Sequence, residues 1–414
     1  SYRALLEDVT FHPYMGMYLN TLRNQKESAS SIPDQNYARE VMQLFSIGLH
    51  ELNINGTVRR DNQGAPLSAY SNVDIEGLSR VFTGLGWDIN GNFFSDCGIR
   101  SHDVCNNKPM KSFPAFHSTQ EKRFLGLTIP LRSGVDNLSG MSGDLQQALT
   151  LISSHDNVAP FISRLLIQQF VTSYPTREYV ARVAQVFVAP NSNLGEVVKA
   201  ILLDPEARDI DYANRTHGFG KLREPVIRLT NWLRAFHLVG PERHSPPPKG
   251  PSGFEFSSKR NELCQYPMSA PSVFNFWRPG FVPNDSFASS NSAGLVAPEM
   301  QVTHEVCVAT YLRMMKAVVS GTADVGTGNM IFGLTNHTAL MLRSSYKDEL
   351  GLGSAELVNR VNELLAAGRL SPQLQKAIEI AVESIPADAP NGPLRRAQVA
   401  VYLVMASTDY LLQK

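Results

Sequence analysis

The helical character of this chain is clearest in residues 154–187, SHDNVAPFISRLLIQQFVTSYPTREYVARVAQVF. A helix is predicted after Asp156, with Pro160 in its first turn and its end before Pro175, because proline fits the first turn of a helix and interrupts later ones. Thr176 then caps a second helix. Apolar residues recur three and four positions apart in both segments, so each helix is expected to bury one face. The faces predicted to be buried are Phe161, Ile162, Leu165, Leu166 and Phe170 in the first helix and Tyr179, Val180, Val183 and Phe187 in the second.

Similar start and stop signals lie on both sides of this pair. Asn193 and Glu196 resemble a capping box that opens a helix ending near Asp204-Pro205. Further helices are predicted after Asp34, over Lys221–His237 with Pro225 near its beginning, from Ser354 to Gly368, from Ser371-Pro372, and from about Leu394 to Leu412. These signals agree with one another, and they predict an all-α fold: a large, irregular multi-helix domain.

Extended structure is expected to be minor. Asn55-Gly56 and Asn90-Gly91 are flanked by short alternating segments and predict one or two short β-hairpins. Residues 239–300 are rich in proline, glycine and aromatic side chains and predict a long irregular segment. We therefore expect residues 1–414 to be most of a single helical domain, with this segment inside it.

Composition excludes several classes of function. The 414 residues contain 38 Lys plus Arg and 38 Asp plus Glu, so the chain has no net charge that would draw it to nucleic acid. Hydrophobic residues make up 43% of the chain, enough for a substantial core. No apolar run approaches the roughly 18 residues that a membrane span needs. We expect neither nucleic-acid binding nor a membrane span.

The four cysteines bear on the cellular compartment. Cys97 and Cys105 lie in a polar stretch, CGIRSHDVC, whose spacing suits a small disulfide loop. A metal site formed by Cys97, His102 and Cys105 is the alternative, but no second ligand cluster supports it. The disulfide is favoured, and it is typical of proteins that fold outside the reducing cytosol.

The sequence holds no recognised catalytic motif. It has no phosphate-binding loop, no haem-attachment motif and no nucleophile elbow, and His304-Glu305 lacks the second histidine of a zinc protease motif. His117 and His155 have polar neighbours, and each is a candidate general base or metal ligand. A surface or core histidine held by a hydrogen bond is the simpler interpretation of each. No cofactor and no definite metal ligand is predicted.

Two further groups of residues are candidate sites. Asn36, Arg39 and Glu40 form a polar stripe on the helix after Asp34, most simply a solvated helix face. Phe276, Trp277 and Arg278 lie in an aromatic, proline-rich stretch whose rings must be buried or must contact a partner. For this stretch, a loop packed over the helical core is favoured over a ligand-binding groove.

Several segments together resemble one bacterial family, the domain of unknown function 1800. The resemblance is carried by the following stretches in order: HPYMGMYL (12–19), PDQNYAREVMQLFSIGLHELNINGT (33–57), FHSTQEKRFLG (116–126), residues 154–187 quoted above, KLREPVIRLTNWLRAF (221–236), PSVFNFWRPGFVP (271–283) and VYLVMASTDYLLQK (401–414). It covers essentially the whole chain. One difference is Ser118, since many members have Asp after the histidine that corresponds to His117.

The resemblance implies an exported protein, located in the periplasm, at the cell surface or outside the cell. Members usually carry a helical portion and an export signal before the segment at His12, so Ser1 would fall inside the domain. That preceding portion is a candidate partner, and it could turn Asn36, Arg39 and Glu40 into a buried ionic network. Family genes often neighbour those of exported sulfatase- or phosphatase-like proteins, which suggests such a protein, or self-assembly, as a partner.

Three functional hypotheses follow. The first is an exported, non-enzymatic protein that binds a ligand or takes part in a surface assembly. The second is a periplasmic or extracellular hydrolase, metal-assisted, acting on polysaccharide or on sulfate or phosphate esters through Glu40, His117 and His155. That hypothesis requires the three side chains to converge in a pocket. The third is a polar core network with a purely structural role.

Overall fold

A computed structural model describes residues 1–89, 91–95, 108–189, 193–215, 218–237, 263–265, 270–283, 295–320 and 346–414. The chain divides into two compact units. Unit 1 comprises Ser1–Phe170 and Pro175–Asp209, and unit 2 comprises Val171–Tyr174 and Ile210–Lys414. The prediction of a single domain over residues 1–414 stays a prediction.

Unit 1 contains nine α-helices and two short pairs of antiparallel strands among its described residues. The helices are α1 (Tyr2–Phe11), α2 (Pro13–Tyr18), α3 (Asn36–Gln43), α4 (Asn72–Val81), α5 (Leu138–Ser153), α6 (Val158–Phe170), α7 (Arg177–Val188), α8 (Leu194–Leu203) and α9 (Pro205–Arg208). Strand β1 (Leu85–Gly86) pairs with β2 (Lys111–Ser112), and β3 (Lys122–Phe124) pairs with β4 (Leu127–Ile129), both antiparallel. A 3-10 helix covers Pro114–Phe116.

The core of unit 1 forms where these helices pack in pairs. α1 packs on α5, α3 on α4, and α7 on both α6 and α8. The rings of Tyr37 and Phe82 meet edge to face at 4.8 Å between helices α3 and α4. Helix α4 also lies directly against β3, because a Cβ at Gly77 would come within 1.9 Å of the Arg123 carbonyl oxygen. This close contact places β3 beside the middle of α4.

Unit 2 contains seven helices among its described residues: α10 (Ile210–Arg215), α11 (Pro225–Ala235), α12 (Glu305–Ser320), α13 (Ser354–Ala366), α14 (Pro372–Glu383), α15 (Gly392–Ala406) and α16 (Thr408–Leu411). Strand β5 (Lys221–Leu222) pairs with β6 (Leu412–Gln413), and a 3-10 helix covers Pro298–Val302. Buried side chains of α11, α12, α13 and α15 form one continuous apolar core.

The mostly α-helical class is confirmed, since helices account for 52% of the described residues and the sheets among those residues are two-stranded and short. No helix in the described ranges is long and apolar enough to cross a bilayer. Two of the caps predicted from sequence form, since Thr176 and Asn193 each accept a backbone N–H three residues ahead. Pro225 and Pro372 each begin a helix, but the Ser371 side chain makes no cap hydrogen bond.

The hairpin predictions have mixed outcomes. The turn at Asn55-Gly56 is confirmed, since Leu52 and Val58 form an antiparallel bridge across it. Asn90 lies outside the described residues. The hairpin of β3 and β4 was not predicted, because its turn places Leu125 at a φ of 49° next to Gly126 at 79°. Leucine rarely adopts that left-handed conformation, so the sequence gives no signal for it.

Candidate functional site

Unit 1 holds a buried cluster of five ionisable side chains, here called the ionic cluster. Its members are His117, Lys122, Arg132, Asp136 and Asp144. They come from the end of the 3-10 helix, the start of β3, the segment before α5, and the buried face of α5. Each is buried except Arg132, whose side chain is 29% exposed.

Asp144 is the centre of this cluster. Its two carboxylate oxygens accept N–H groups of Arg132 at 2.8 and 2.7 Å, and Oδ2 also lies 2.8 Å from Lys122 Nζ. Burial alone would raise the pKa of Asp144, but hydrogen bonds from His117, Arg132 and Lys122 outweigh it. The pKa is therefore held well below its usual range, and Asp144 is a carboxylate at neutral pH.

His117 is fixed in orientation by the end of α4. Its Nδ1 lies 2.9 Å from the backbone carbonyl oxygen of Thr83, which can only accept, so Nδ1 carries a hydrogen. Nε2 points at Asp144 Oδ2, 3.2 Å away, and at Asp136 Oδ2, 3.7 Å away. The close approach requires Gly84 at a φ of 83°, since a Cβ there would lie 2.9 Å from Phe113 O.

Lys122 and Asp136 complete the cluster. Lys122 donates to the carbonyl oxygen of Ser118 at 2.6 Å as well as contacting Asp144. Burial lowers the pKa of Lys122, and the contact with Asp144 partly offsets that effect. Asp136 accepts from Arg132 at 2.8 Å and from the backbone N–H of Asn137 at 2.9 Å. Each charge thus has an oppositely charged or hydrogen-bonding partner.

The same cluster contains a set of possible metal ligands. His117, Asp136 and Asp144 each place one ligand atom within 4.8 Å of the others. The charges argue against a resident divalent cation, because Lys122 and Arg132 already neutralise the two carboxylates. Asp144 Oδ2 lies within 2.8 Å of both cations, so a metal ion would have to displace one of them. The arrangement is better described as a closed ionic network.

The three predicted catalytic residues do not share this site. Of them, only His117 belongs to the ionic cluster. Glu40 is buried on α3, where burial raises the pKa of its carboxyl group and the charge of Arg39 partly offsets this. Burial lowers the pKa of His155, whose Nδ1 accepts the N–H of Asn157. No hydrogen bond or ion pair among the described residues joins the three to one another.

The polar stripe of α3 is only partly solvated. Asn36 and Arg39 are half-buried, whereas Glu40 is 8% exposed and its Oε2 has no hydrogen-bond partner among the described residues. No side-chain hydrogen bond in the described part of the chain links the three residues. The ionic network expected there stays a prediction.

The aromatic candidate residues lie in the described part of unit 2. Phe276 and Trp277 are half-buried with ring centroids 6.5 Å apart, and exposed Arg278 lies over the ring of Phe274. A binding role for this stretch stays a prediction.

Cys97 and Cys105 lie outside the described residues. A disulfide joins Cys264 to Cys307, which the sequence analysis did not predict.

Unit 2 contains an open cleft of about 230 Å³, here called the unit 2 cleft. Its walls are mostly apolar, and Ser173 and Lys221 are its buried polar residues. Both contact the buried carboxylate of Glu299: Ser173 donates to it at 2.7 Å, and Lys221 Nζ lies 3.6 Å away. The apolar lining consists of Phe219, Leu222, Pro283, Leu295, Val296, Ala297, Met300 and Leu412.

Strand pairing builds one side of the unit 2 cleft. β5 and β6 bring Lys221 beside Gln413, and the Gly220 carbonyl oxygen accepts the backbone N–H of Ser173 at 2.9 Å. The other side of the cleft is formed near the 3-10 helix at Pro298–Val302. The residue before this helix, Ala297, donates its backbone N–H to the carbonyl oxygen of Phe281. Segments far apart in sequence therefore form the cleft, and no local sequence motif predicts it.

Comparison with known proteins gives one match. No curated protein and no solved structure is significantly similar to this chain. A family model described as "Protein of unknown function (DUF1800)" matches residues 1–412. The chain belongs to the DUF1800 family, as the segments from His12 to Lys414 indicate.

Proposed function

We propose that this chain is a binding protein that holds a small, mostly apolar molecule in the unit 2 cleft. The observation that carries the proposal is access: the unit 2 cleft is open and lined by apolar side chains, whereas the ionic cluster is buried and its charges are already paired. Small-molecule sites are generally concave, mostly apolar, and supplied with a few polar groups that orient the ligand.

The polar groups of the cleft define the ligand further. Lys221 and Ser173 are its buried polar lining residues, and both contact the carboxylate of Glu299. A ligand with one acceptor group, such as a carboxylate or a carbonyl, can accept a hydrogen bond from the Lys221 ammonium, which has three N–H donors, while its apolar part contacts Phe219, Leu295 and Met300. A volume of about 230 Å³ suits such a molecule and is too small for a folded partner.

We also propose that the protein works outside the reducing cytosol. The disulfide between Cys264 and Cys307 supports this proposal, because disulfides persist mainly in oxidising compartments. A surface or periplasmic location is compatible with a ligand-binding role and with the exported character that the family resemblance implies.

A metal-assisted hydrolase is the second candidate, favoured by the proximity of His117, Asp136 and Asp144. It requires that substrate and metal reach a cluster from which only the Arg132 side chain is appreciably exposed. It also requires displacement of Lys122 or Arg132 from Asp144. These two requirements make it less consistent with the geometry than ligand binding.

The proposal is tested by filling the cleft. In Met300→Trp the larger side chain occupies the space between the apolar walls, so octanoate should bind at least about tenfold more weakly, a loss of about 1.4 kcal/mol. Leu203→Trp on α8, whose parent side chain is 57% exposed, is the matched control and should bind as the wild type does. Isothermal titration calorimetry measures both.

Two results would overturn the proposal. One is the absence of binding by the wild-type protein to both octanoate and anilinonaphthalene sulfonate. The other is turnover of ester, phosphate ester, sulfate ester or polysaccharide substrates by the purified protein, with loss of turnover in His117→Gln. The second result would establish the hydrolase instead.

A further inference from the structure

The disulfide of unit 2 lies at the start of a long helix. Cys307 is the third residue of the 16-residue helix α12, and its Cα lies 5.7 Å from that of Cys264. Cys307 is 4% exposed, whereas Cys264 is half-buried. Cys264 is therefore the more accessible of the two residues to an external reagent.

The surroundings of Cys307 favour a thiolate. Its Sγ lies 2.8 Å from Nε2 of His304, the residue before the first turn of α12. The N-terminus of a helix carries partial positive charge, and an imidazole N–H beside sulfur adds a hydrogen-bond donor. Both effects stabilise negative charge on Cys307 Sγ once the disulfide opens, so Cys307 is the better leaving group.

Cys264 is held in an unfavourable backbone conformation. Its φ is 53°, in the left-handed region that residues with a Cβ rarely occupy. The neighbours on both sides are anchored: Leu263 is buried in the apolar core, and the Gln265 side chain bonds Glu224 and the N–H of Val226. Strain imposed in this way is typical of functional positions.

We propose that Cys264–Cys307 is a reversible thiol–disulfide exchange site that reacts with low-molecular-weight thiols. The thiolate of the incoming thiol attacks Cys264 Sγ, the Sγ–Sγ bond breaks, and Cys307 leaves as a thiolate beside His304. A second thiolate then attacks the sulfur of the bound thiol, which releases the small-molecule disulfide and leaves Cys264 reduced. Two thiols are oxidised, their two protons pass to the cysteines, and the reverse sequence restores the bond.

The site is independent of the proposed ligand cleft, because neither cysteine nor His304 lines it. Its chemistry is also distinct from a metal site. Cys264, His304 and Cys307 lie within 4.8 Å of one another, but sulfur atoms in a closed disulfide are not thiolate ligands.

Acid-quench mapping tests the proposal directly. The full chain is incubated with reduced glutathione, quenched with acid, alkylated and analysed by peptide mass spectrometry. The expected intermediate carries glutathione on Cys264 and an alkyl group on Cys307. Glutathione found mainly on Cys307 would overturn the proposal, as would alkylation of both cysteines in protein purified in air.

A rate comparison tests the part played by His304. Reduction should be about tenfold slower in His304→Ala than in the wild type at neutral pH, because the leaving thiolate loses its partner. Val306→Ala removes an exposed side chain from the same helical turn and should react at the wild-type rate. Circular dichroism confirms that both variants are folded. Equal rates in the folded His304→Ala variant and the wild type would contradict the assignment.

Discussion

The ionic cluster of unit 1 and the unit 2 cleft show how differently residue chemistry and access can be distributed in one chain. The ionic cluster concentrates histidine, carboxylates and cations, which are the side chains of catalysis, yet every charge in it has a partner and only Arg132 is appreciably exposed. The unit 2 cleft has few polar side chains but is open. Function is therefore better assigned by what a ligand can reach than by which residues cluster.

The comparison also separates two uses of a buried lysine. Lys122 contacts Asp144 at 2.8 Å inside the closed network, whereas Lys221 lies 3.6 Å from Glu299 in the lining of a cleft. In the first geometry the opposite charges are buried as a pair, and each stabilises the other in the folded protein. The second keeps a cation beside a space that a ligand can enter.

The largest effect is expected from Asp144→Asn. The variant leaves Lys122 and Arg132 buried or half-buried without their common carboxylate, and removal of one partner from a buried pair typically costs about 3–5 kcal/mol. Chemical denaturation measures the loss in free energy of unfolding. Asp8→Asn, which makes the same change at an exposed position, should cost less than about 0.5 kcal/mol.

The pH dependence of the stability lost in Asp144→Asn tests whether the loss comes from the ionised carboxylate. The pKa of Asp144 is depressed in the folded protein, so its contribution to stability is complete above the ordinary Asp pKa near 4 and is lost as pH falls below it. The stability difference between wild type and Asp144→Asn should therefore narrow in acid. A difference that stays constant from neutral pH to about pH 3 would contradict the ionised network.

A smaller effect is expected at Gly84. Alanine there adopts a left-handed φ and also brings a Cβ within 2.9 Å of Phe113 O, beside the backbone of His117. Gly64 has a similar φ, 85° against 83°, but its Cβ would meet nothing within 4 Å. Gly64→Ala should cost about 1–2 kcal/mol from conformation alone, and Gly84→Ala should cost about 1 kcal/mol more because of the contact.

Thermal or chemical unfolding of the two variants measures that difference. Equal losses would mean that the backbone near His117 adjusts without cost, and the close packing of α4 on the cluster would then not fix the imidazole. The pair is informative because each variant carries the same substitution in almost the same backbone conformation.

Helix positions could be predicted well from the sequence because their signals are local. Thr176, Asn193 and Pro372 each define a helix start from side chains within a few residues. The buried face of α6 was predicted wrongly: Phe170 is 41% exposed, whereas Ser163 and Ile167 are buried. Apolar residues occur on most sides of that helix, so periodicity does not define a single inner face.

The candidate sites could be predicted only in part, because they are assembled from distant segments. His117 was found from its polar neighbours, but its partner Asp144 lies 27 positions away on α5. The sequence did indicate that Asp144 is buried, since it falls on the same helical face as the apolar residues Met141, Leu145 and Ala148. The unit 2 cleft gave no signal, because strand pairing between Leu222 and Leu412 is needed to form it.

Ligands are proposed to bind in the unit 2 cleft and not at the ionic cluster. Amide chemical-shift mapping during an octanoate titration tests it most directly. Saturable shifts are expected at residues 218–222, 295–300 and 412–413, with the amides around His117 and Asp144 unchanged. Saturable shifts confined to residues 117–144, with none along the cleft, would contradict it.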